Sequence, residues 1–280
     1  MSDLLSSRQT VGVVGHPIQH SLSPLLHAAA FSALEIPWVS MAFDAQAGEG
    51  QAVVDACRTL RIRGLSVTMP LKMEIARAVD ELDPSAGLLQ SVNCLTMEGL
   101  NAVGASTDGQ GFLDALKRVH GERIAGSHAV VVGSGGAARS VIAALGGAGA
   151  AEVSVVARNR QKGAEVAELA GGAGRLGDPT DAAVADIVIE ATPLGMAGTP
   201  FEFEVPLVDP AILHEGQIVV DLVYEPFETA WLHEAHRQGA ETLGGLGMLV
   251  HQAALQIERW TQQSAPLEAM WTAAEKALGR

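Results

Sequence analysis

Residues 129–139 read AVVVGSGGAAR, and the rest of the chain is best read outward from them. Residues 129 to 132 are four apolar residues, the length and composition of a short buried strand. Gly133, Ser134, Gly135 and Gly136 follow without a spacer, and Ala137, Ala138, Val141, Ile142 and Leu145 then recur at helical spacing. Strand, glycine turn and helix in that order open a dinucleotide-binding βαβ unit. A diphosphate approaches a backbone closely only where no Cβ intrudes. The amides and dipole of the helix start then favour the anion. The spacing is G-S-G-G-A rather than G-x-G-x-x-G, so the loop alone also fits an ordinary βα turn. About twenty residues on, the second strand, 152–157, ends in Arg158, Asn159, Arg160, Gln161 and Lys162. An NAD site usually carries an Asp or Glu there to hold the ribose hydroxyls. Three cations and no acid suit a 2′-phosphate instead, which points to NADP over a merely solvated basic loop.

The chain has 280 residues, 48% of them hydrophobic, 31 glycines and a formal charge of −14. That length holds one large domain or two medium ones. The mean hydropathy of +0.22 suits well-buried sheets. The acidic balance, with no long basic stripe, argues against a nucleic-acid partner. The most apolar region, 129–157, is broken by glycines, Arg139 and Glu152 and does not read as a membrane span. Cys57 and Cys94 give neither a disulfide framework nor metal spacing and read as buried thiols in a reducing, cytoplasmic setting. The first ten residues, MSDLLSSRQT, lack the pattern of a secretory signal. The nine histidines lack the Cys or carboxylate partners that a zinc site needs, so no metal is expected.

In chain order, 10–15 reads as a strand, and Pro24 fits the first position of a helix running to about Leu34. Ser21 and Ser23 either cap that helix or point two hydroxyls into a cleft. Residues 38–44 read as a strand, 48–60 as a helix and 64–69 as a strand, and Pro70 is expected to open a helix over 71–79. Lys72 thus falls in a first turn, against the positive end of the helix dipole, and a broken local rule of that kind marks function or strain. Residues 91–96 read as a strand with Asn93 inside it, a polar residue in a place that suggests a turn cap or a ligand contact. Residues 104–111 read as a loop feeding a helix over 112–119, with Asp108 as its N-cap or as a partner for a lysine. Beyond the glycine turn, strands are expected at 185–191, ending in Thr192-Pro193, and at 217–223, ending near Tyr224. Helices follow over 229–238, from the glycine turn at 244 to Trp260, and over 267–278, with Met248 and Gln252 on one face of the second.

These stretches together resemble the shikimate dehydrogenase family through nearly the whole chain. The resemblance is carried by S-x-S-P (Ser21, Ser23, Pro24), V-T-x-P-x-K (Val67 to Lys72), Val92-Asn93 and T-D-x-x-G (Thr107 to Gly111). It continues in G-x-G-G-A-x-R (Gly133 to Arg139), Tyr224 and G-x-x-M-L-x-x-Q (Gly245 to Gln252). It implies a two-domain α/β protein, with an N-terminal α/β substrate domain over 1–106 and 245–280 and a Rossmann-type NADP-binding domain over 107–244. It implies reversible reduction of 3-dehydroshikimate to shikimate in a cleft, with Lys72 and Asp108 as the catalytic pair. Ser21, Ser23, Thr68, Asn93, Tyr224 and Gln252 would hold the substrate. Gly133, Ser134, Gly135, Gly136, Ala137, Arg158, Asn159, Lys162, Thr192, Gly245 and Met248 would hold NADP, and no metal is implied. The chain departs from the family pattern in three places. Many members have Asn-Val-Thr where Ser66-Val67-Thr68 stands, Asn-Thr-Asp where Ser106-Thr107-Asp108 stands, and Asn-Arg-Thr where Ala157-Arg158-Asn159 stands. The first two leave room for quinate as substrate, and the third keeps the arginine. A quinate or dual quinate/shikimate dehydrogenase using NAD, a non-catalytic cofactor or metabolite sensor, and an unrelated α/β binding protein remain alternatives. The oligomeric state is open, a homodimer being one option.

Overall fold

The computed structural model describes residues 8–279; the leading MSDLLSS, part of the segment read above for a secretory signal, lies outside them. The described residues fall into two compact units, one running to Thr107 and resuming at Val250, the other spanning Asp108–Leu249.

The first unit begins with β1 (Gln9–Gly15), α1 (Ser23–Ala33), β2 (Trp38–Asp44), α2 (Gly50–Leu60) and β3 (Gly64–Val67). It goes on through α3 (Lys72–Ala78), β4 (Glu81–Leu82), α4 (Pro84–Leu89), β5 (Cys94–Glu98) and β6 (Asn101–Ala105). Its six strands lie in the order β2-β1-β3-β5-β6-β4, and β5 alone runs against its neighbours. Under the sheet, Val14, Leu65, Val67, Leu71, Ile75 and Leu95 join one apolar cluster with Val54 of α2. Three local expectations change. Pro24 is the second helical residue, because α1 starts at Ser23. Pro70 does not open α3: it follows a cis Met69–Pro70 bond in a turn, and the helix starts two residues later at Lys72. The stretch 104–111, read as a loop, begins with the last two residues of β6, which pairs with β5 through the two-residue turn Gly99-Leu100.

The second unit comprises α5 (Asp108–His120), β7 (His128–Val132), α6 (Gly136–Gly147), β8 (Glu152–Val156), α7 (Arg160–Ala167) and β9 (Gly174–Leu176). It continues with β10 (Ile187–Glu190), β11 (Ile218–Asp221), α8 (Ala230–Arg237) and β12 (Glu241–Leu243). All its strands are parallel, in the order β12-β11-β10-β7-β8-β9. Counted within the unit, that is the 3-2-1-4-5-6 order of a dinucleotide-binding sheet, whose direction switches between β7 and β10. β7 is apolar on both faces because both are covered. Ala129 and Val131 pack with Val141, Ile142 and Leu145, while Val130 and Val132 pack with Trp231 and Leu232. Asp108 is the first residue of α5 rather than its cap.

The chain closes with α9 (Leu246–Thr261) and α10 (Leu267–Ala277). From Val250 onward they belong to the first unit, where the Trp260 indole donates to the Leu95 carbonyl at 3.0 Å. Among the described residues no helix is long and apolar enough to cross a membrane, and no group of three or more His, Cys, Asp or Glu is placed to hold a metal. Cys57 and Cys94 are buried free thiols, each pushed up to about 12 by burial.

Candidate active site

Parallel pairing sends the chain out of β1 and β3 at the same edge of the first sheet, and β6, running the same way as β3, leaves it there too. β5 runs the other way and therefore enters at that edge. The exits carry Ser21 and Ser23 after β1, Thr68 and Lys72 after β3, and Thr107 after β6; the entry carries Asn93 just before β5. Topology thus gathers five of the expected side chains, with Thr107, at one rim. Short backbone bonds tie these segments: His16 N–H donates to the Met69 carbonyl at 3.0 Å and Thr68 N–H to Val14 at 2.9 Å. Ser21 Oγ accepts from Ser23 N–H at 3.3 Å, which makes a turn rather than a side-chain cap on α1; Ser23 is buried and Ser21 half-buried.

Lys72 is half-buried at the first position of α3, and its carbonyl accepts from Val92 N–H at 3.0 Å. The next residue, Asn93, is buried and spends its amide on fixing neighbours. Its Oδ1 accepts from Thr107 N–H at 2.7 Å, and its Nδ2 donates to Thr107 Oγ1 at 3.0 Å and to Gln252 Oε1 at 3.3 Å. Thr107 Oγ1 donates to the Gln252 carbonyl at 3.1 Å. Asn93 therefore sits one residue before its strand, where its side chain braces the end of β6 against α9. Buried Asp108 follows Thr107 directly, so the same brace fixes where α5 begins.

In the second unit, Gly133 to Ala137 form the turn from β7 into α6, at the switch point of the sheet. Gly133 has φ +121, a backbone setting that favours glycine. No side chain caps α6, and a Cβ added at Gly135 would enter open space. A backbone that presents amides and lacks a Cβ matches what a diphosphate needs, so these residues fit a dinucleotide. Thr192 lies on the facing turn after β10: its N–H and hydroxyl donate to Glu190 Oε1 at 2.9 and 2.6 Å. The basic stretch after β8 is the start of α7, with Asn159 as its N-cap, Oδ1 accepting from Lys162 N–H at 3.0 Å. Asn159 thus has a helix-capping role. Arg158 reaches Glu204 at 3.4 Å and Arg160 reaches Asp178 at 2.7 Å, both at the surface. Gly245 donates to the Val223 carbonyl at 3.0 Å and lies so close to Leu222 that a Cβ would overlap its carbonyl oxygen. Met248 is packed in the apolar cluster of β7 and α6. Tyr224, half-buried, has its hydroxyl pushed up, chiefly by burial and then by Glu225.

The two units hold their site residues separately: Ser21, Ser23, Thr68, Lys72, Asn93 and Gln252 in the first, Asp108, Tyr224 and the expected nucleotide residues in the second. Sequence reasoning assigned no role to four buried polar residues. Gln256 donates to both Asn93 and Gln252; its four-residue spacing from Gln252 was the available signal. His27 has its imidazole pushed down to about 3 by burial. Glu190 and Asp221 are register partners at the ends of β10 and β11. Burial raises Glu190 to about 7 and Asp221 to about 6. Alternation through buried strands hid both acids.

Residues 13–95 match the model of the shikimate dehydrogenase substrate binding domain and residues 245–275 that of the shikimate 5′-dehydrogenase C-terminal domain. The chain is 40% identical over 270 residues to the NADP(+) shikimate dehydrogenase of Methanopyrus kandleri, covering 93% of this chain and 92% of that protein. It is 39% identical over 289 residues to that of Moorella thermoacetica, covering 100% and 97%. Its fold superposes on a crystal structure of a shikimate dehydrogenase in complex with NADP+ with a TM-score of 0.91 at 34% identity, covering 98% and 97% of the two chains. The Thermus thermophilus enzyme in complex with NADP(H) and shikimate gives 0.87 at 33% identity, covering 96% of this chain and 100% of that one. By sequence along its whole length and by the fold of each unit, the chain belongs to the shikimate dehydrogenase family.

Proposed function

We propose that this protein is an NADP-dependent shikimate dehydrogenase that reversibly reduces 3-dehydroshikimate to shikimate. The observation that carries the reading is full-length identity of about 40% to proteins of that activity, in a chain that carries Ser21, Ser23, Thr68, Lys72 and Asn93 at one rim of its first sheet. The unit spanning Asp108–Leu249 is the NADP-binding one, and the other holds the substrate.

Held by the Gly133 to Ala137 turn, NADP would supply the hydride acceptor or donor for the alcohol or carbonyl carbon. The chain's residues do the rest. Hydroxyls of Ser21, Ser23 and Thr68 and amides of Asn93 and Gln252 meet a polyhydroxylated acid with donors and acceptors and no fixed charge, which sets the ring without locking it to one ion. Tyr224 adds a phenol. Lys72 Nζ takes the hydroxyl proton as the C–H hydride leaves, and in reverse its ammonium gives that proton to the carbonyl oxygen as the hydride arrives. Positioned proton transfer of this kind contributes about a hundred- to ten-thousandfold in rate. Asp108 orients the lysine. Gly133 to Ala137 hold the diphosphate, with Thr192, Gly245 and Met248 shaping the same site. Arg158 and Lys162 meet the 2′-phosphate, and Asn159 fixes the turn that carries them.

The reading places the enzyme in the cytoplasm, in line with two free buried thiols, and carries a homodimer that light scattering distinguishes from a monomer. A steady-state assay of shikimate and quinate, each with NADP+ and NAD+, tests it. The expected result is highest kcat/KM for shikimate with NADP+. Preference for quinate with NAD+ would replace it with a quinate dehydrogenase, the name of the Corynebacterium glutamicum protein in complex with NAD that shares the fold at 28% identity, and binding without turnover would make the protein a sensor.

A further inference from the structure

Gln256 lies one turn beyond Gln252 on α9 and is fully buried. Its Nε2 donates to the Asn93 carbonyl at 3.0 Å and to Gln252 Oε1 at 2.8 Å. Gln252 Oε1 accepts a second bond from Asn93 Nδ2. A primary amide offers acceptors at one end and donors at the other, so its orientation decides what it shows a ligand. Two groups in this cluster cannot change sign, because they are backbone. Thr107 N–H can only donate, which fixes Asn93 with Oδ1 toward it and Nδ2 toward Gln252. The Asn93 carbonyl can only accept, which fixes Gln256 with Nε2 toward it. Gln252 then meets donors from two sides and is held with Oε1 between them. Reversing it would set its NH2 against both Nδ2 of Asn93 and Nε2 of Gln256, in a buried place where mismatched polar groups are costly.

We propose that Gln256 is a positioning residue for the substrate: it acts through Gln252, holding that amide so that hydrogen-bond donors are what it offers a ligand. The inference rests on reading Gln252 as a substrate group. It assigns the chemistry at that point, since donors match the lone pairs of a carboxylate, ketone or ring hydroxyl. On the other side of Gln256 the buried imidazole of His27, bonded to Ser40 Oγ at 2.8 Å, stays neutral and brings no charge to compete for the Gln256 amide.

The test is a double-mutant cycle on purified protein: Gln256→Glu and Gln256→Leu, each in wild type and in Gln252→Ala, with KM for shikimate and for NADP+, kcat and Tm. A carboxylate at 256 cannot donate to Gln252 Oε1. Gln256→Glu is expected to raise the shikimate KM about tenfold, with kcat and the NADP+ KM within about threefold, an effect the size of one buried hydrogen bond. Gln256→Leu removes the donor without adding an acceptor and is expected to give a smaller rise; it carries the comparison if the Glu variant does not fold. In Gln252→Ala either substitution is expected to change the shikimate KM by less than about twofold, because residues in one network are not additive. Equal effects in the two backgrounds, or an unchanged shikimate KM in wild type, would overturn the inference. If Gln252→Ala alone leaves that KM at the wild-type value while shikimate is still turned over, the substrate reading of Gln252 falls and the inference with it, but the proposed activity stands.

Discussion

The two units bury polar groups of opposite kinds. At the rim of the first sheet the buried polar residues are neutral: Asn93, Thr107, Gln252 and Gln256 are joined by hydrogen bonds, and His27, buried in the same unit, is held uncharged. At the rim of the second sheet they are carboxyls: Glu190 holds the Thr192 turn, and Asp221 holds Val223 N–H and the Thr229 hydroxyl. Neutral amides keep one hydrogen-bond polarity at every pH, which suits the recognition of a polyol by donor and acceptor pattern. Carboxyls brace the turns around a glycine loop with strong acceptors, but their protonation ties that half of the molecule to pH.

The largest expected effect tests the nucleotide side. Arg158→Ala removes a charge-assisted contact, so the NADP+ KM should rise about ten- to a hundredfold while the NAD+ KM stays put; equal changes for both would remove Arg158 from the phosphate site. Two glycines then separate ligand space from packing. Gly135→Ala puts a methyl where a diphosphate would lie, and about a tenfold loss of NADP+ affinity with unchanged Tm is expected, by titration and thermal melting. Gly245→Ala drives a methyl into the Leu222 carbonyl, so its main result should be a loss of about 1–3 kcal/mol in stability. If the two substitutions behave alike, the distinction between cradle and close approach is wrong.

The smallest effect concerns pH. The Glu190 carboxyl rises from 4.5 to about 7 in the folded protein. Between those values the unfolded chain has lost a proton that the folded chain keeps, so folding weakens as pH rises through that window. Asp221, raised from 3.8 to about 6, has the same sign. His27 is lowered from 6.5 to about 3, so below pH 6.5 the unfolded chain gains a proton first, and folding weakens as pH falls. Glu190→Gln is therefore expected to raise Tm by a few degrees at pH 8 and by almost nothing at pH 4.5. Hydrogen exchange, corrected for intrinsic rates, should show β3 and β5 losing protection at pH 5 and β7 and β10 at pH 8. The same direction in both sheets would erase the contrast.

Much of the second unit was legible in the sequence because parallel strands buried on both faces read as unbroken apolar runs, as 129–132 does, and glycines mark its turns. The first unit was less so. β6 was hidden because Asn101-Ala102-Val103-Gly104-Ala105 has small residues and no strong alternation. β4 has two residues and α4 six, too few for a period to show. The start of α7 looked like a basic loop, since its cap and its cations share the same five residues. Lys72, Asp108 and Asn93 could be picked out, but the brace joining Asn93 to Thr107, Gln252 and Gln256 spans more than 140 residues of chain, and no local pattern encodes it.

The most direct test of the central claim, that Lys72 moves the proton while neighbouring neutral groups hold the acid, is Lys72→Ala assayed for turnover and, separately, for shikimate affinity by titration. A fall in kcat of about a hundredfold or more with the affinity for shikimate within about threefold of wild type is the expected result. Near-normal turnover, or a loss confined to binding, would contradict it.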